Sequence, residues 1–185
     1  MRMSHMKSKT LIAIVGLPAS GKSTAIEAVK RLAPVVIMGD VIRAEVLHRA
    51  LEPSPENIGS IAKELRKKYG KDIIAKRCIE KINTIDEPVI LIDGIRSLSE
   101  VNLFREHWPI YVIAITCSNQ TRFKRIKTRG RADDTIDDEL IRKRDQRELQ
   151  FGLGEVIERA EYKIENEKDI ESLKRKVLNY VKGLL

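Results

Sequence analysis

The sequence predicts an α/β domain in which helices cover both faces of a doubly wound, five-stranded parallel sheet, a three-layer arrangement. Five short apolar runs alternate with longer segments of helical periodicity. The composition agrees, because 42% of the 185 residues are apolar and only 4% are aromatic. An aliphatic core of this kind suits strands that are buried on both faces. Polar residues follow the predicted strands, at the edge where such sheets bind ligands.

The predicted strands are short and contain many β-branched residues. They cover residues 11–15, 35–38, 89–92, 110–116 and 162–164. Apolar residues recur at helical spacing between them. The predicted helices cover residues 22–32, 41–51, 58–82, 98–107, 119–128, 136–151 and 173–180. Pro53 and Pro55 separate the second helix from the third, which predicts a bent helical arm over about residues 41–70.

Composition and cysteine content exclude several classes of protein. Cys78 and Cys117 lie far apart without a C-x-x-C or a histidine cluster, so we expect neither a disulfide framework nor a zinc site. Apolar runs near the N-terminus reach only about six residues, too short for a signal peptide or a membrane span. We expect residues 1–6 to be extraneous and disordered, and residues 7–185 to form one domain. We also expect a cytoplasmic protein without membrane contact that is a monomer or a homodimer.

The residues directly after the first predicted strand form a complete G-x-x-x-x-G-K-[ST] phosphate-binding loop. The loop consists of Gly16, Leu17, Pro18, Ala19, Ser20, Gly21, Lys22, Ser23 and Thr24. Its glycines let the backbone amides surround an anion at the start of the next helix. We expect Lys22 to reach the β- and γ-phosphates of a nucleoside triphosphate, and the Ser23 hydroxyl to ligate the bridging Mg²⁺. The predicted cofactors are therefore ATP and Mg²⁺.

Two further strand ends carry charged residues. Asp93 ends the third strand, where a carboxylate can hold a Mg²⁺-bound water beside the loop; the alternative is an ordinary turn aspartate. Residues 39–43 and 93–96 share a layout of strand end, Gly–Asp turn and arginine. Because guanidinium binds phosphate through two parallel hydrogen bonds, Arg43 and Arg96 would clamp a second, phosphorylated substrate. The alternative is a pair of solvated surface arginines.

The order of these segments resembles that of adenylate kinases and other nucleoside monophosphate kinases. Residues 39–43 (G-D-V-I-R) are similar to their G-D-x-[LI]-R segment, and residues 93–96 (D-G-I-R) resemble their D-G-F-P-R. Residues 125–129 (R-I-K-T-R) are similar to the R-I-x-x-R that opens their lid. Residues 131–134 (R-A-D-D) and Arg144 resemble their R-x-D-D and later K-R. The resemblance covers nearly the whole domain.

The resemblance implies an ATP- and Mg²⁺-dependent kinase whose arm and short lid, about residues 122–134, close over two substrates. Arginines that close over the transferred phosphoryl group are worth roughly 10³–10⁵ in rate. The residues implied in catalysis are Lys22, Asp93, Arg129, Arg131 and Arg144. Arg125 would lie against the base of ATP, and Asp40, Arg43 and Arg96 would bind the acceptor.

The identity of the acceptor stays open. Only Gly130 separates Arg129 from Arg131, so the lid is minimal. A short lid also resembles that of dephospho-coenzyme A kinases, whose acceptor is a hydroxyl. A hydroxyl needs a nearby carboxylate base, for which Asp40 is available, whereas a phosphate is already ionised and needs only positioning. Transfer to a nucleotide or nucleotide-like acceptor is the leading hypothesis, and a hydroxyl acceptor is the alternative.

A basic stretch precedes Arg131 and suggests a function of another class. The chain carries 35 basic and 27 acidic residues, a net charge of +8 that favours anionic partners in general. An ATP-binding, RNA-associated module with slow ATPase activity is therefore a further alternative. It is disfavoured because Phe123 is the only aromatic residue in the stretch on which a base could stack. One helix face cannot hold all the basic residues, so we expect Arg122, Lys124 and Lys127 to face solvent.

Overall fold

In the computed structural model, which describes residues 9–130 and 136–185, five parallel strands form one sheet in the order β2-β3-β1-β4-β5. The strands are β1 (Thr10–Val15), β2 (Val35–Ile37), β3 (Val89–Asp93), β4 (Ile110–Thr116) and β5 (Tyr162–Glu165). The predicted doubly wound α/β fold is confirmed. The expectations for residues 1–6 and for Arg131 concern parts of the chain outside the described residues.

The helices of the described segments follow the predicted order with three differences. They are α1 (Lys22–Val29), α2 (Met38–His48), α3 (Pro55–Tyr69), α4 (Ile73–Asn83), α5 (Leu98–His107), α6 (Asn119–Arg129), α7 (Asp138–Gln150), α8 (Leu153–Glu158) and α9 (Ile170–Lys182). The predicted turn at Gly39 and Asp40 is the first turn of α2. Gly70, with a φ of +101°, ends α3 and divides the long predicted helix. The short helix α8 was not predicted.

The alternation of side chains along the central strand β1 builds the core on both faces of the sheet. Leu11, Ala13 and Val15 face a large apolar cluster to which α2, α3, α4, α5 and α8 contribute. Ile12 and Ile14 face a second cluster with α1 and α9. Since every one of these β1 side chains is buried, the sheet is covered on both sides. None of the described helices combines the length and the apolar character that a membrane span requires.

The predicted arm consists of α2 and α3, which pack against the main core. Glu45 of α2 accepts a hydrogen bond from Arg77 of α4 at 2.8 Å. Arg66 of α3 donates to Glu100 of α5 at 2.9 Å, and the Glu100 side chain is 0% exposed. The apolar faces of both helices belong to the same cluster as the sheet. Closure of the arm over substrates stays a prediction, and any such motion has to preserve or replace these contacts.

We expect Arg66→Met to lower the free energy of unfolding by about 3 kcal/mol, because it leaves the buried Glu100 carboxylate without its guanidinium partner. Lys30→Met is the matched control, since it removes a cation from the exposed pair with Glu27 and should cost less than about 1 kcal/mol. Urea unfolding followed by circular dichroism measures both. Equal losses in the two variants would show that the Arg66–Glu100 pair does not anchor the arm.

Candidate functional site

A cleft of about 510 Å³ opens at the carboxyl ends of the strands and contains most of the predicted site residues. The predicted residues that line it are Gly16, Pro18, Ala19, Gly21, Lys22, Ser23, Thr24, Arg43, Asp93, Arg96, Arg125, Arg129 and Arg144. The phosphate loop and the two arginines predicted to bind the acceptor, which are distant in sequence, therefore share one cavity. Leu17, Ser20 and Asp40 are placed beside it rather than along its lining.

Close packing at the two glycines determines the shape of the phosphate loop. A Cβ atom at Gly16, where φ is +151°, would lie 2.3 Å from the carbonyl oxygen of Ile115 in β4. A Cβ atom at Gly21, where φ is +116°, would lie 2.3 Å from Nδ2 of Asn166. A side chain at Gly16 would collide with backbone, and one at Gly21 would displace the Asn166 amide and strain the backbone at a positive φ. Because α1 begins at Lys22, the backbone amides at its N-terminus lie at the cleft, where they attract an anion.

Lys22 lies at the centre of the charged groups in the cleft. Its Nζ donates to the carbonyl oxygens of Gly16 at 2.6 Å and Leu17 at 3.2 Å. Burial lowers the pKa of Lys22 to about 8; Asp93 opposes this shift, while nearby arginines add to it. These arginines are Arg96, Arg144 and Arg129. A bound anion would therefore meet several converging cations.

Asp93 and Ser23 are the candidate ligands for Mg²⁺. Asp93 pairs in register with Ile14 of β1, next to the start of the loop. Burial raises the pKa of Asp93 above its usual value, although Lys22 and Arg96 act in the opposite direction. A hydroxyl and a carboxylate in one cleft fit Mg²⁺, which takes few protein ligands and completes its shell with phosphate oxygens and water. Within residues 9–130 and 136–185, no cluster of three or more His, Cys, Asp or Glu side chains suggests another metal site.

Two ion pairs lie at the part of the cleft where the acceptor is predicted to bind. Nη1 of Arg43 donates to Oδ1 of Asp40 at 2.5 Å, and both side chains are about half exposed. Arg96 pairs with Glu148 of α7, and Glu148 itself lines the cleft. Glu148 was not among the residues predicted from the sequence. The periodicity of α7 marks which of its faces is buried but gives no information about a partner 52 residues earlier in the chain, at Arg96.

Asn166 is a second residue of the site that was not predicted from the sequence. Its side-chain Nδ2 donates to the backbone carbonyl of Ser20 at 2.7 Å. The backbone carbonyl of Asn166 accepts a hydrogen bond from Nη2 of Arg125 at 2.9 Å. Asn166 directly follows β5, so the rule that functional side chains follow strands would have identified it. Arg125 lies at the cleft between the loop and Asn166; its predicted contact with the base stays a prediction.

The expectation that Arg122 faces solvent is wrong. Its side chain is buried, with 1% exposure, and binds Asp145 of α7. Lys124 and Lys127 are exposed as expected. Arg122 is buried because it lies on the face of α6 that is turned towards the loop. Arg125 and Arg129 recur at helical spacing and share this face.

Comparison with known proteins identifies the family. The model of the AAA domain family AAA_18 matches residues 12–150. A UPF0200 protein from Methanocaldococcus jannaschii is 44% identical over 178 residues, which cover 95% of this chain and 90% of that protein. The chain belongs to the UPF0200 family. A second UPF0200 protein, from Methanosarcina acetivorans, is 41% identical, with 95% of each chain covered.

A solved structure supports the fold of this UPF0200 protein. The crystal structure of TT1252 from Thermus thermophilus matches with a TM-score of 0.61 and 19% identity, covering 97% of this chain and 100% of that one. At this identity the likeness shows the fold alone. Together with the family match and the complete loop, it supports a P-loop, kinase-like fold, as the resemblance implied.

Lys22 should make the binding of ATP with Mg²⁺ dependent on pH. In the free protein the pKa of Lys22 is about 8, and phosphate oxygens would raise it in the complex. Binding then takes up a proton, so the affinity falls as the pH rises above about 8, by up to ~tenfold per pH unit between the two pKa values. Isothermal titration calorimetry in buffers of different ionisation enthalpy measures both effects. Lys22→Met should bind weakly and without this dependence; a wild-type affinity that is constant up to about pH 9.5 would contradict the prediction.

Proposed function

We propose that this UPF0200 protein is an ATP- and Mg²⁺-dependent phosphotransferase that moves the γ-phosphoryl group of ATP to a nucleotide or nucleotide-like acceptor. The observation that carries the proposal is the single cleft shared by the two halves of the site. The phosphate loop with Lys22 lines one part of this cleft, and Arg43 and Arg96 line another. A switch or a motor needs the first half only, whereas a kinase needs both.

The roles of the residues follow from phosphoryl transfer, in which positioning and neutralisation of charge supply most of the catalysis. The loop amides and Lys22 would bind the β- and γ-phosphates. Ser23 and Asp93 would hold Mg²⁺, which neutralises charge between these phosphates when bound. Arg129 and Arg144 line the same cleft and would stabilise the charge that spreads over the transferred group. Arg131 would join them from the lid, and closure of the arm and lid would exclude water as a competing acceptor.

A second candidate, transfer to a hydroxyl, is supported by the ion pairs on the acceptor side. Arg43 and Arg96 are each already paired with a carboxylate, Asp40 and Glu148. An acceptor phosphate has to displace these carboxylates, and the Glu148 side chain is only 10% exposed. A hydroxyl acceptor instead leaves the pairs in place and gives its proton to a carboxylate. The nature of the acceptor is therefore the first question for experiment.

We expect transfer from ATP to at least one member of a panel of nucleoside monophosphates and dephospho-coenzyme A. Lys22→Ala should lower kcat/KM at least about a hundredfold, and Arg144→Met should lower kcat by up to about a thousandfold, because both remove charge stabilisation from the transition state. The matched control is Lys176→Ala, at an exposed lysine of α9. A coupled assay of ADP release, with the product identified by mass spectrometry, measures transfer. Activity that survives Lys22→Ala unchanged would exclude the proposed function.

Glu148→Gln separates the two kinds of acceptor. If a phosphate binds Arg96, removal of the competing carboxylate should lower KM for the acceptor severalfold at constant kcat. If the acceptor is a hydroxyl that needs this side of the cleft intact, KM should not fall. Glu139→Gln is the matched control, because Glu139 is an exposed residue of the same helix, paired with Lys143. Initial rates at saturating ATP measure the effect, and an unchanged KM would contradict binding of an acceptor phosphate at Arg96.

A further inference from the structure

A buried ion pair lies directly behind the phosphate loop. Arg122 of α6 donates from Nη1 to the carbonyl oxygen of Pro18 at 3.1 Å. The same guanidinium binds both carboxylate oxygens of Asp145 in α7, at 3.0 and 2.5 Å. Oδ1 of Asn119 accepts a further hydrogen bond from it at 2.6 Å. The guanidinium is therefore fixed in one orientation, with one of its hydrogen bonds directed at the loop.

The tip of the loop is strained at the residue after Pro18. Ala19 has a φ of +61°, in the left-handed region that residues with a Cβ atom rarely adopt. Such a conformation persists only where the surroundings impose it. The side chain of Ala19 packs against a small cluster formed by Phe123 and Ile126 of α6 and Ile141 of α7. Helices α6 and α7 therefore hold the tip through both an apolar contact and the hydrogen bond to Pro18.

The same pair connects the loop to another part of the cleft. Asp145 directly follows Arg144, which lines the cleft. Because Asp145 is bound to Arg122 and Arg122 to Pro18, the position of α7, and with it that of Arg144, is tied to the loop. Stability alone does not explain the pair, since apolar residues of similar volume often stabilise a protein as well as a buried ion pair does.

We propose that Arg122 is a positioning residue for the phosphate loop, held in place by Asp145. By binding the Pro18 carbonyl from behind, it keeps the loop in the conformation that presents the backbone amides and Lys22 to a triphosphate. It also places Arg144 at a fixed distance from that loop. The inference rests on the proposed binding of ATP at this loop and adds a residue that contacts the loop rather than the ligand.

The double variant Arg122→Met/Asp145→Leu tests the inference. It replaces both charges with apolar side chains, which avoids leaving an unpaired buried charge. We expect Kd for ATP with Mg²⁺ to rise about tenfold or more, as for the loss of a charge-assisted hydrogen bond. Hydrogen exchange of the amides in residues 16–24 should become faster without nucleotide, while the urea midpoint changes little. Exchange at the loop reports on positioning independently of activity.

The matched control is Lys127→Met/Asp138→Leu. Lys127 and Asp138 form another ion pair between α6 and α7, at 2.7 Å, but it is exposed. This variant should leave Kd and loop exchange unchanged. If the first double variant does not fold, the Arg122→Lys variant is used instead. Lysine keeps a positive charge beside Asp145 but lacks the planar guanidinium that also reaches Pro18. This variant should also weaken ATP binding and speed loop exchange.

The outcomes distinguish the inference from the function on which it rests. Wild-type protein that does not bind ATP would overturn both. Wild-type binding combined with unchanged Kd and unchanged loop exchange in Arg122→Met/Asp145→Leu, or in Arg122→Lys where it is used instead, would overturn the positioning role alone. Weaker binding and faster exchange in the Arg122 variant, without either in the control, would establish it.

Discussion

The conformation of the phosphate loop depends on the hydrogen bonds that its backbone carbonyl groups accept. A loop that presents amides to an anion turns carbonyls away from it, and buried carbonyls need donors. Lys22 binds the carbonyls of Gly16 and Leu17, Arg122 binds that of Pro18, and Asn166 binds that of Ser20. These donors come from α1, α6 and the end of β5. The phosphate loop is therefore supported from several elements, and its shape is a property of the whole domain.

The order of the strands explains why these elements meet. Since β1 lies at the centre with β3 and β4 on its two sides, the loop that follows β1 adjoins Asp93 on one side and the carbonyl of Ile115 on the other. The connection after β4 leads into α6, which brings Arg122 and Arg125 against the loop. The topology thus supplies both the candidate metal ligand and the supports of the loop.

Three arginines in and around the cleft are paired with carboxylates. Asp40 pairs with Arg43, Glu148 pairs with Arg96, and Asp145 pairs with Arg122. Two of these carboxylates belong to α7, next to Arg144. Helix α7 is therefore linked to the back of the loop through the Asp145–Arg122 pair and reaches the predicted acceptor side through Glu148. In the proposed function, this arrangement makes α7 the element that relates the two substrates to each other.

Periodicity and motifs were enough to predict the fold class, the five strands and the phosphate loop. They also predicted Asp93 at the end of β3, and Arg43 and Arg96 in the segments that follow β2 and β3. These features are local, because periodicity and a motif of nine residues define them. Packing between elements places Arg122 in the interior, Asn166 against the loop and Glu148 beside Arg96, and local sequence patterns predicted none of these. Arg122 lies 104 residues from Pro18, and Asn166 lies 146 from Ser20. A helical period shows which residues share a face, but the partner of that face depends on packing between elements that are distant in the chain.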